Sequence, residues 1–172
     1  EWRRAAAERG LSAPAKTVCC YANDTEFVAA EVALIAPLLK AAQAVGPSRL
    51  LLSAHGLPKK IIARGDPYQW QVEQTCAAVV NGLLAGGFDD FEWQICYQSR
   101  VGPLQWIGPA ADDEVSRAGA DGKAVVLAPI AFVSEHSETL VELDIDYREL
   151  AADCGVSHYV RVPTVGVNNQ FI

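Results

Sequence analysis

Near the end of the sequence, a histidine is followed by a regular series of carboxylates. His136 precedes Glu138, Glu142 and Asp146, and these three acids are spaced four residues apart. On an α-helix a step of four residues turns a side chain by about 40°, so the three carboxylates would lie on one face and climb about 12 Å. A histidine beside a file of carboxylates can handle cations or transfer protons near neutral pH. The same spacing also fits an ordinary solvated helix face, and the segment before it favours the chemical interpretation.

That preceding segment has the pattern of a buried strand. Lys123–Ile130 is a short apolar run with three β-branched residues, and a strand is predicted over Lys123–Ala128. The histidine and the acids would then follow the carboxyl end of a parallel strand, where open α/β sheets bind their ligands. Two further segments follow predicted strands in the same way: 53–58 comes at the end of Arg49–Ala54, and 98–109 at the end of Phe91–Gln98. We therefore expect three loops to converge on one cleft.

Helices and strands alternate along the chain. A closing strand is predicted over Ser157–Val162. Helices are predicted from a cap at Asp24 or Thr25 through about Val45, over Tyr68–Leu84, over Asp112–Ala120 and over an acidic stretch ending near Gly155. Pro37 predicts a kink or early break in its helix, 55–67 is predicted to be a loop, and Trp2–Arg9 has the pattern of the last turns of a helix. The alternation implies right-handed crossovers, so we predict a three-layer α/β/α open sheet with about four parallel strands in one domain, residues 1–172.

The composition limits the classes of partner and compartment. A net charge of −7 and a pI near 4.9 leave no basic patch to neutralise phosphates, so we expect no nucleic-acid partner and a better match to cationic ligands. The five cysteines lack zinc-type spacing and are interpreted as structural thiols in a reducing compartment. Because we find no apolar run of about 18 residues and no signal peptide, the expected location is cytoplasmic, with peripheral membrane association left open.

Four long motifs, in order along the chain, resemble one known family. They are SAHGLP (53–58), RGDPY (64–68), QSRVGPLQWIGP (98–109) and PIAFVSEHSETLVELDID (129–146). Together they resemble ferrochelatase, the enzyme family that inserts ferrous iron into protoporphyrin IX to make haem. The resemblance runs from about Thr25 to Asn168 and implies the carboxyl-terminal, Rossmann-like lobe of a two-lobed chelatase. We therefore expect this chain to be part of a longer protein, with the amino-terminal lobe absent.

The resemblance also implies roles for individual residues. His55 and Glu138 match the family's facing catalytic pair, and both are implied as ligands of the metal. Whether His55 is the base or a ligand stays open at this point. Glu142 and Asp146 match an acidic conduit that leads away from Glu138 along a helix widened to π geometry. Further residues match those that line or support the porphyrin pocket: Arg64, Trp106, Phe132 and His136.

The implied substrates are Fe²⁺ and a porphyrin, and the implied partner is the missing lobe, which could add a peripheral membrane contact. Some relatives bind a [2Fe-2S] cluster through cysteines near the carboxyl terminus, and this chain shows no matching motif, so a cluster cannot be assigned from it. Two other functions remain open: insertion of cobalt or nickel into sirohydrochlorin by a related type II chelatase, and a non-catalytic porphyrin-binding or metal-binding module. We expect the isolated chain to fold but to insert little or no metal.

Overall fold

A computed structural model describes residues 2–172 and follows the predicted alternation. The helices are α1 (Trp2–Glu8), α2 (Thr25–Val45), α3 (Lys59–Ile62), α4 (Tyr68–Ala85), α5 (Ala111–Ala120) and α6 (Tyr147–Asp153). The strands are β1 (Ser48–His55), β2 (Glu92–Gln98), β3 (Ala124–Pro129) and β4 (Tyr159–Arg161). A π-helix, Glu138–Asp146, lies between β3 and α6.

The four strands form one parallel sheet in the order β2-β1-β3-β4. β1 is central: Arg49 pairs with Glu92 of β2 on one side and with Val125 of β3 on the other. Every residue of β3 is buried, as is every residue of β1 except its last. Burial on both faces explains why these strands appear in the sequence as continuous apolar runs.

Helices cover both faces of the sheet and create two apolar cores. On one face, Ile35 of α2 and Val79 of α4 pack in the same cluster as Leu50 and Leu52 of β1. On the other face, Leu51 packs with residues of α5, α6 and the π-helix: Val115, Ala118, Leu143, Tyr147 and Ala151. The α/β fold with a four-stranded parallel sheet between helices is therefore confirmed.

Three local predictions differ from the structure. α2 begins after Asp24, one of its two predicted caps, whose Oδ1 accepts hydrogen bonds from the backbone N–H groups of Glu26 and Phe27. It then runs without interruption through Pro37, so the predicted early break is wrong. The predicted loop 55–67 contains the short helix α3, and the predicted acidic helix is two elements, a π-helix, as the resemblance implied, and then α6.

α2 shows that the expected absence of an apolar segment of about 18 residues was wrong. By length and by a mean hydropathy of 1.6, it is the one helix within residues 2–172 that could cross a membrane. One side of it is nevertheless buried in the core, through Phe27, Ile35, Leu39 and Ala42. This pattern is that of the core helix of an α/β domain, where an apolar stripe packs against the sheet.

The buried side of α2 includes one carboxylate. Glu31 is only 2% exposed, and its Oε1 has no hydrogen-bond partner among the described residues. Burial removes water from the carboxylate and raises the pKa of Glu31 to about 8. The neutral acid is therefore the form that the folded chain favours near pH 7.

The raised pKa of Glu31 predicts a pH-dependent stability. An acid that binds its proton more tightly when folded contributes stability below its unfolded pKa, and this stability is lost as the pH rises through the folded value. Glu31→Gln removes the ionisation, so its stability advantage over the wild type should grow by up to about 1.4 kcal/mol per pH unit between about pH 5 and pH 8. Urea unfolding of both proteins across this range measures the difference. A difference that is constant with pH would contradict the prediction.

Candidate active site

The carboxyl ends of two neighbouring strands bring a histidine and a glutamate together. His55 is the last residue of β1, and Glu138 begins the π-helix that follows β3. β1 and β3 are paired up to Ser53 and Pro129, so both side chains emerge at the same edge of the sheet. The Nδ1 of His55 lies 2.7 Å from the Oε2 of Glu138, and the side chains remain 40% and 33% exposed. This pair is buried enough to be held in place and open enough to meet a ligand.

The π-helix directs three of its carboxylates and its buried residues to different sides. A π turn has about 4.4 residues, so a four-residue spacing nearly repeats the same direction. Thr139 and Leu143, also four residues apart, are buried in the protein. Glu138, Glu142 and Asp146 instead line a cleft of about 470 Å³, together with Tyr97, Gln98, Ser99, Arg100, Val101, Asp112 and Tyr147. Glu142 is half-buried, and Asp146 is exposed at the far end of the file.

Ser99 connects the first two carboxylates of the file. It follows the last residue of β2 and adopts a φ of 58°, a left-handed conformation that is uncommon outside glycine. Its backbone N–H donates to the Oε1 of Glu142 at 2.8 Å, and its hydroxyl lies 2.5 Å from the Oε2 of Glu142. The same hydroxyl lies 3.2 Å from the Oε2 of Glu138. The end of β2 therefore fixes the spacing between the two glutamates.

Two tyrosines support the same groups from behind. The Tyr147 hydroxyl donates to the Oε1 of Glu142 at 3.1 Å, and the Tyr68 hydroxyl donates to the backbone carbonyl of His55 at 3.0 Å. Burial and, after it, the charge of Glu138 raise the pKa of Tyr68 to about 12. Burial and then Glu142 raise the pKa of Tyr147 above its ordinary value. Both phenols are therefore neutral hydrogen-bond donors at physiological pH.

Glu138 is ionised at neutral pH. Partial burial by itself would raise its pKa, but the hydrogen bond and charge of His55 and the hydrogen bond of Ser99 outweigh this effect and lower it. A charged Glu138 accepts the hydrogen on the Nδ1 of His55. In an imidazole with its hydrogen on Nδ1, the Nε2 carries the lone pair that can accept a proton or bind a metal ion.

Phe132 and His136 lie in the loop between β3 and the π-helix. Their rings are stacked at a centroid distance of 4.6 Å, and the Nδ1 of His136 accepts a hydrogen bond from the backbone N–H of Glu138 at 3.2 Å. The backbone N–H of His136 is bonded to the hydroxyl of Thr139. These contacts hold the first turn of the π-helix rather than reach the carboxylate of Glu138.

The other two residues implied by the resemblance occupy different positions. Trp106 packs against Gly56, the residue after His55, at the edge of a cavity that Lys59 and Arg100 also line. The indole Nε1 of Trp106 is buried without a partner among the described residues. Arg64 lies exposed just after α3, and its side chain forms no hydrogen bond or ion pair within residues 2–172. The structure therefore does not connect Arg64 to the His55–Glu138 pair.

The acids on the other side of the π-helix form ion pairs with Arg161 of β4, and Asp144 also pairs with Arg148 at 3.5 Å. The guanidinium of Arg161 pairs with Glu135, before the π-helix, at 2.8 Å and with Asp144, within it, at 2.7 Å. No comparable ion pair forms with Glu142 or Asp146 among residues 2–172. Within the same residues, no group of three or more His, Cys, Asp or Glu is arranged to hold a metal ion. A metal bound at His55 and Glu138 would therefore have these two side chains as its ligands from residues 2–172.

Sequence reasoning did not identify Ser99, Tyr68 or Tyr147 as parts of this site. Ser99 and Tyr68 lie within quoted motifs, and Ser99 is the first polar residue after a predicted strand, which is a usable signal. Tyr147 follows directly on the acidic series and is five residues from Glu142, the spacing of the i→i+5 hydrogen bonds of a π-helix. The contact between Tyr147 and Glu142 could be predicted only from a π-helical geometry.

Comparison with known proteins agrees with this architecture. The ferrochelatase family model matches residues 1–172. The chain is 46% identical to ferrochelatase from Pelagibacter ubique (strain HTCC1062) and 51% identical to that from Phenylobacterium zucineum (strain HLK1), in each case over all of this chain and 48% of the relative. It is 45% identical to ferrochelatase from Wolbachia pipientis wMel over 99% of this chain and 52% of the relative. The chain spans about half the length of the curated relatives it matches, and it belongs to the ferrochelatase family.

Proposed function

We propose that the protein containing this chain inserts ferrous iron into protoporphyrin IX and that this chain is its carboxyl-terminal lobe. The family match supports the reaction class. The observation that carries the proposal is the 2.7 Å contact between His55 and Glu138 at the carboxyl edge of the sheet, beside a cleft lined by further carboxylates. The remaining half of the protein would supply the facing lobe, and a cytoplasmic location with peripheral membrane contact through that lobe is part of the proposal.

Metal insertion into a porphyrin requires little covalent chemistry. Two pyrrole N–H protons must leave the porphyrin, the metal ion must lose water, and the macrocycle must bend so that a nitrogen lone pair faces the ion. The Nε2 of His55 can take one of these protons, because Glu138 holds the other ring nitrogen as N–H. The same lone pair could instead bind the metal ion. We favour the role of a base for His55, because the neighbouring carboxylate of Glu138 stabilises the imidazolium that forms.

The carboxylates would handle the metal ion and the released protons. Glu138 offers a hard oxygen to Fe²⁺ through Oε1, because its hydrogen bonds with the described residues involve Oε2. Glu142 is held at a fixed distance from Glu138, and the exposed Asp146 is placed to exchange cations or protons with solvent. Phe132, Trp106 and His136 would line or support the macrocycle site.

Two assays test the proposal against its alternatives. Absorption titration of the full-length protein with protoporphyrin IX and with sirohydrochlorin measures which tetrapyrrole binds. Anaerobic insertion assays with Fe²⁺, Zn²⁺, Co²⁺ and Ni²⁺ then measure turnover. Iron insertion into protoporphyrin IX supports the proposal. Cobalt or nickel insertion confined to sirohydrochlorin would favour the type II chelatase, and binding without turnover would favour a binding module.

The isolated chain is predicted to fold but to be nearly inactive. Its sheet is covered on both faces and has two apolar cores, so folding does not require the other half. The cleft, however, has one wall, and bending a macrocycle while excluding water needs a second. Circular dichroism should show a cooperative transition, and zinc insertion should fall below about 1% of the full-length rate, a loss of at least about 10². Turnover equal to that of the full-length protein would contradict this prediction.

Substitution of Glu142 or Asp146 should lower kcat less than substitution of Glu138, and the two effects should differ in size. In the full-length enzyme, Glu142→Gln should lower kcat by about 10-fold because Glu142 is held against Ser99 and Tyr147, whereas Asp146→Asn should lower it by only a few-fold. Initial rates at several metal concentrations separate kcat from KM. Glu149→Gln, an exposed acid of α6, is the matched control and should change neither constant. Wild-type rates for Glu142→Gln at all concentrations would reject the conduit.

A further inference from the structure

Two cysteines lie side by side before α2, and their sulfur atoms are in contact. Cys19 and Cys20 are both exposed, and the thiol of Cys20 donates a hydrogen bond to the Sγ of Cys19 at 3.3 Å. The other three cysteines are less accessible, since Cys76 and Cys96 are buried and Cys154 is half-buried. Within residues 2–172, Cys19 and Cys20 are therefore the one pair of adjacent thiols that a single ligand can reach from solvent.

The residues that follow this pair are anchored to the domain. The backbone carbonyl of Ala22 accepts a hydrogen bond from the hydroxyl of Thr75 in α4 at 2.7 Å. The ring of Tyr21 packs edge-on against Phe27 of α2 at a centroid distance of 5.5 Å, and it also packs against Phe171. These contacts hold the end of the segment that carries the two thiols against α2 and α4.

Both cysteines line a mostly apolar cavity of about 270 Å³. Its other walls include Phe27 of α2, Val72 of α4 and, after the end of β3, Ile130, Ala131 and Val133. An organic group on a ligand of the two sulfur atoms can therefore leave water and enter an apolar space. Burial of apolar surface is favourable, so the cavity adds to whatever affinity the sulfur atoms provide.

The geometry of the pair disfavours two common uses of neighbouring thiols. The peptide bond between the cysteines is trans, so their Cα atoms lie about 3.8 Å apart, below the lower limit of about 4.4 Å for an ordinary disulfide. A zinc site needs at least three protein ligands, and no group of three or more His, Cys, Asp or Glu is arranged to hold a metal ion within residues 2–172. A ligand that is satisfied by two thiols fits the pair better than either use.

We propose that Cys19 and Cys20 together bind a trivalent arsenical that carries one organic group, and that this group enters the adjoining cavity. In water such a compound has two hydroxyl groups on arsenic. Both As–O bonds break and two As–S bonds form, while each thiol proton leaves with a hydroxyl group as water. Arsenic stays trivalent, so no oxidant or reductant takes part.

The geometry of arsenic suits this pair of sulfur atoms. Three-coordinate arsenic is pyramidal and holds two sulfur atoms close together on one side, as the 3.3 Å contact between Cys19 and Cys20 already does. The third position keeps the organic group, which then lies toward the cavity that both cysteines line. Binding at this site does not depend on the proposed metal insertion.

Phenylarsine oxide tests the site in the full-length protein. The wild type should bind about one equivalent more than Cys19→Ser or Cys20→Ser, because each variant keeps only one thiol of the pair. Titration of reactive thiols should show that the wild type loses a pair of them on treatment and that neither variant does. Cys154→Ser is the matched control and should bind as the wild type does. Circular dichroism checks that every variant is folded.

Release of the bound arsenical separates a two-thiol site from a single reactive cysteine. Dimercaptopropanol, a dithiol, should remove the arsenical, whereas glutathione at the same thiol concentration should not, because two linked thiols compete at a high effective concentration. Wild-type binding by either Cys19→Ser or Cys20→Ser, loss of binding in Cys154→Ser, or equal release by glutathione would overturn the two-thiol site.

The role of the cavity is tested by changing the organic group. After each affinity is divided by that for free dithiothreitol, phenylarsine oxide should bind about 10-fold more tightly than methylarsine oxide, because its ring leaves water. Ala131→Phe adds a ring to the cavity from an exposed position and should reduce this preference to less than about threefold. Equal affinities in the wild type, or an unchanged preference in Ala131→Phe, would overturn the role of the cavity. These measurements do not involve turnover, so a failure of the proposed function would leave them unaffected.

Discussion

Glu138→Gln in the full-length enzyme is expected to lower kcat for metal insertion by at least about 10²-fold, the lower limit for a group that takes part in proton transfer. Glutamine keeps the size of the side chain and can still accept the hydrogen of the His55 Nδ1 through its amide oxygen. It carries no negative charge, so it can neither stabilise an imidazolium nor offer an anionic oxygen to Fe²⁺. The loss should therefore appear in kcat, whereas porphyrin Kd should change by less than about threefold.

The same exposed acid of α6, Glu149, supplies the control for charge removal in this part of the molecule. Glu149→Gln removes one negative charge without touching the cleft and should leave kcat unchanged. Fixed-time assays of zinc insertion, monitored by fluorescence, measure kcat and KM. Fluorescence-quenching titrations measure porphyrin binding. A Glu138→Gln enzyme that retains more than about a tenth of the wild-type kcat would exclude Glu138 from the proposed chemistry.

His55 should show an even more informative pattern, because its two nitrogens have different tasks. Asparagine places its amide nitrogen near the position of Nδ1, so His55→Asn can keep the contact with Glu138 but loses Nε2. Glutamine reaches the position of Nε2 with an amide that is not basic. Neither variant has a lone pair that accepts a proton near pH 7, and both should lower kcat by about 10²-fold to 10⁴-fold.

The comparison of the two variants separates chemistry from position. If His55 serves only to hold Glu138, His55→Asn should recover most of the wild-type kcat, and the proposed base would be wrong. His158→Asn, just before β4, is the control for loss of an imidazole and should be neutral. Porphyrin titration of each variant checks that the cleft still binds its ligand.

Strands were predictable from sequence where burial makes them apolar on both faces. The prediction for β1 was 49–54 against an observed 48–55, because turn-forming residues bound a continuous apolar run. β4 was predicted over 157–162 but has only the three residues 159–161, since it lies at the edge of the sheet and pairs with β3 alone. α3 was missed because four residues are too few to show a helical period.

The site was predictable to the level of strand ends but not of hydrogen bonds. The juxtaposition of His55 with Glu138 follows from two adjacent parallel strands that end at the same edge. The π geometry came from the resemblance alone, because a four-residue spacing fits an α-helix and a π-helix almost equally well. The two contacts of Ser99 with Glu142 depend on a left-handed backbone conformation, which cannot be predicted from a serine in the sequence. The functional roles of these residues remain predictions.

The ion pairs of Arg161 have an electrostatic consequence for the cleft. Arg161 and Arg148 together offset the charges of Glu135 and Asp144 on the far side of the π-helix, so the field of Glu142 and Asp146 dominates in the cleft. A cleft lined by charges of one sign focuses such a field, and we expect it to raise the local concentration of divalent cations. The attraction extends over a Debye length of about 8 Å at physiological ionic strength. We therefore expect cation capture at the mouth of the cleft to depend on salt, whereas the short contacts around His55 and Glu138 should be hardly screened.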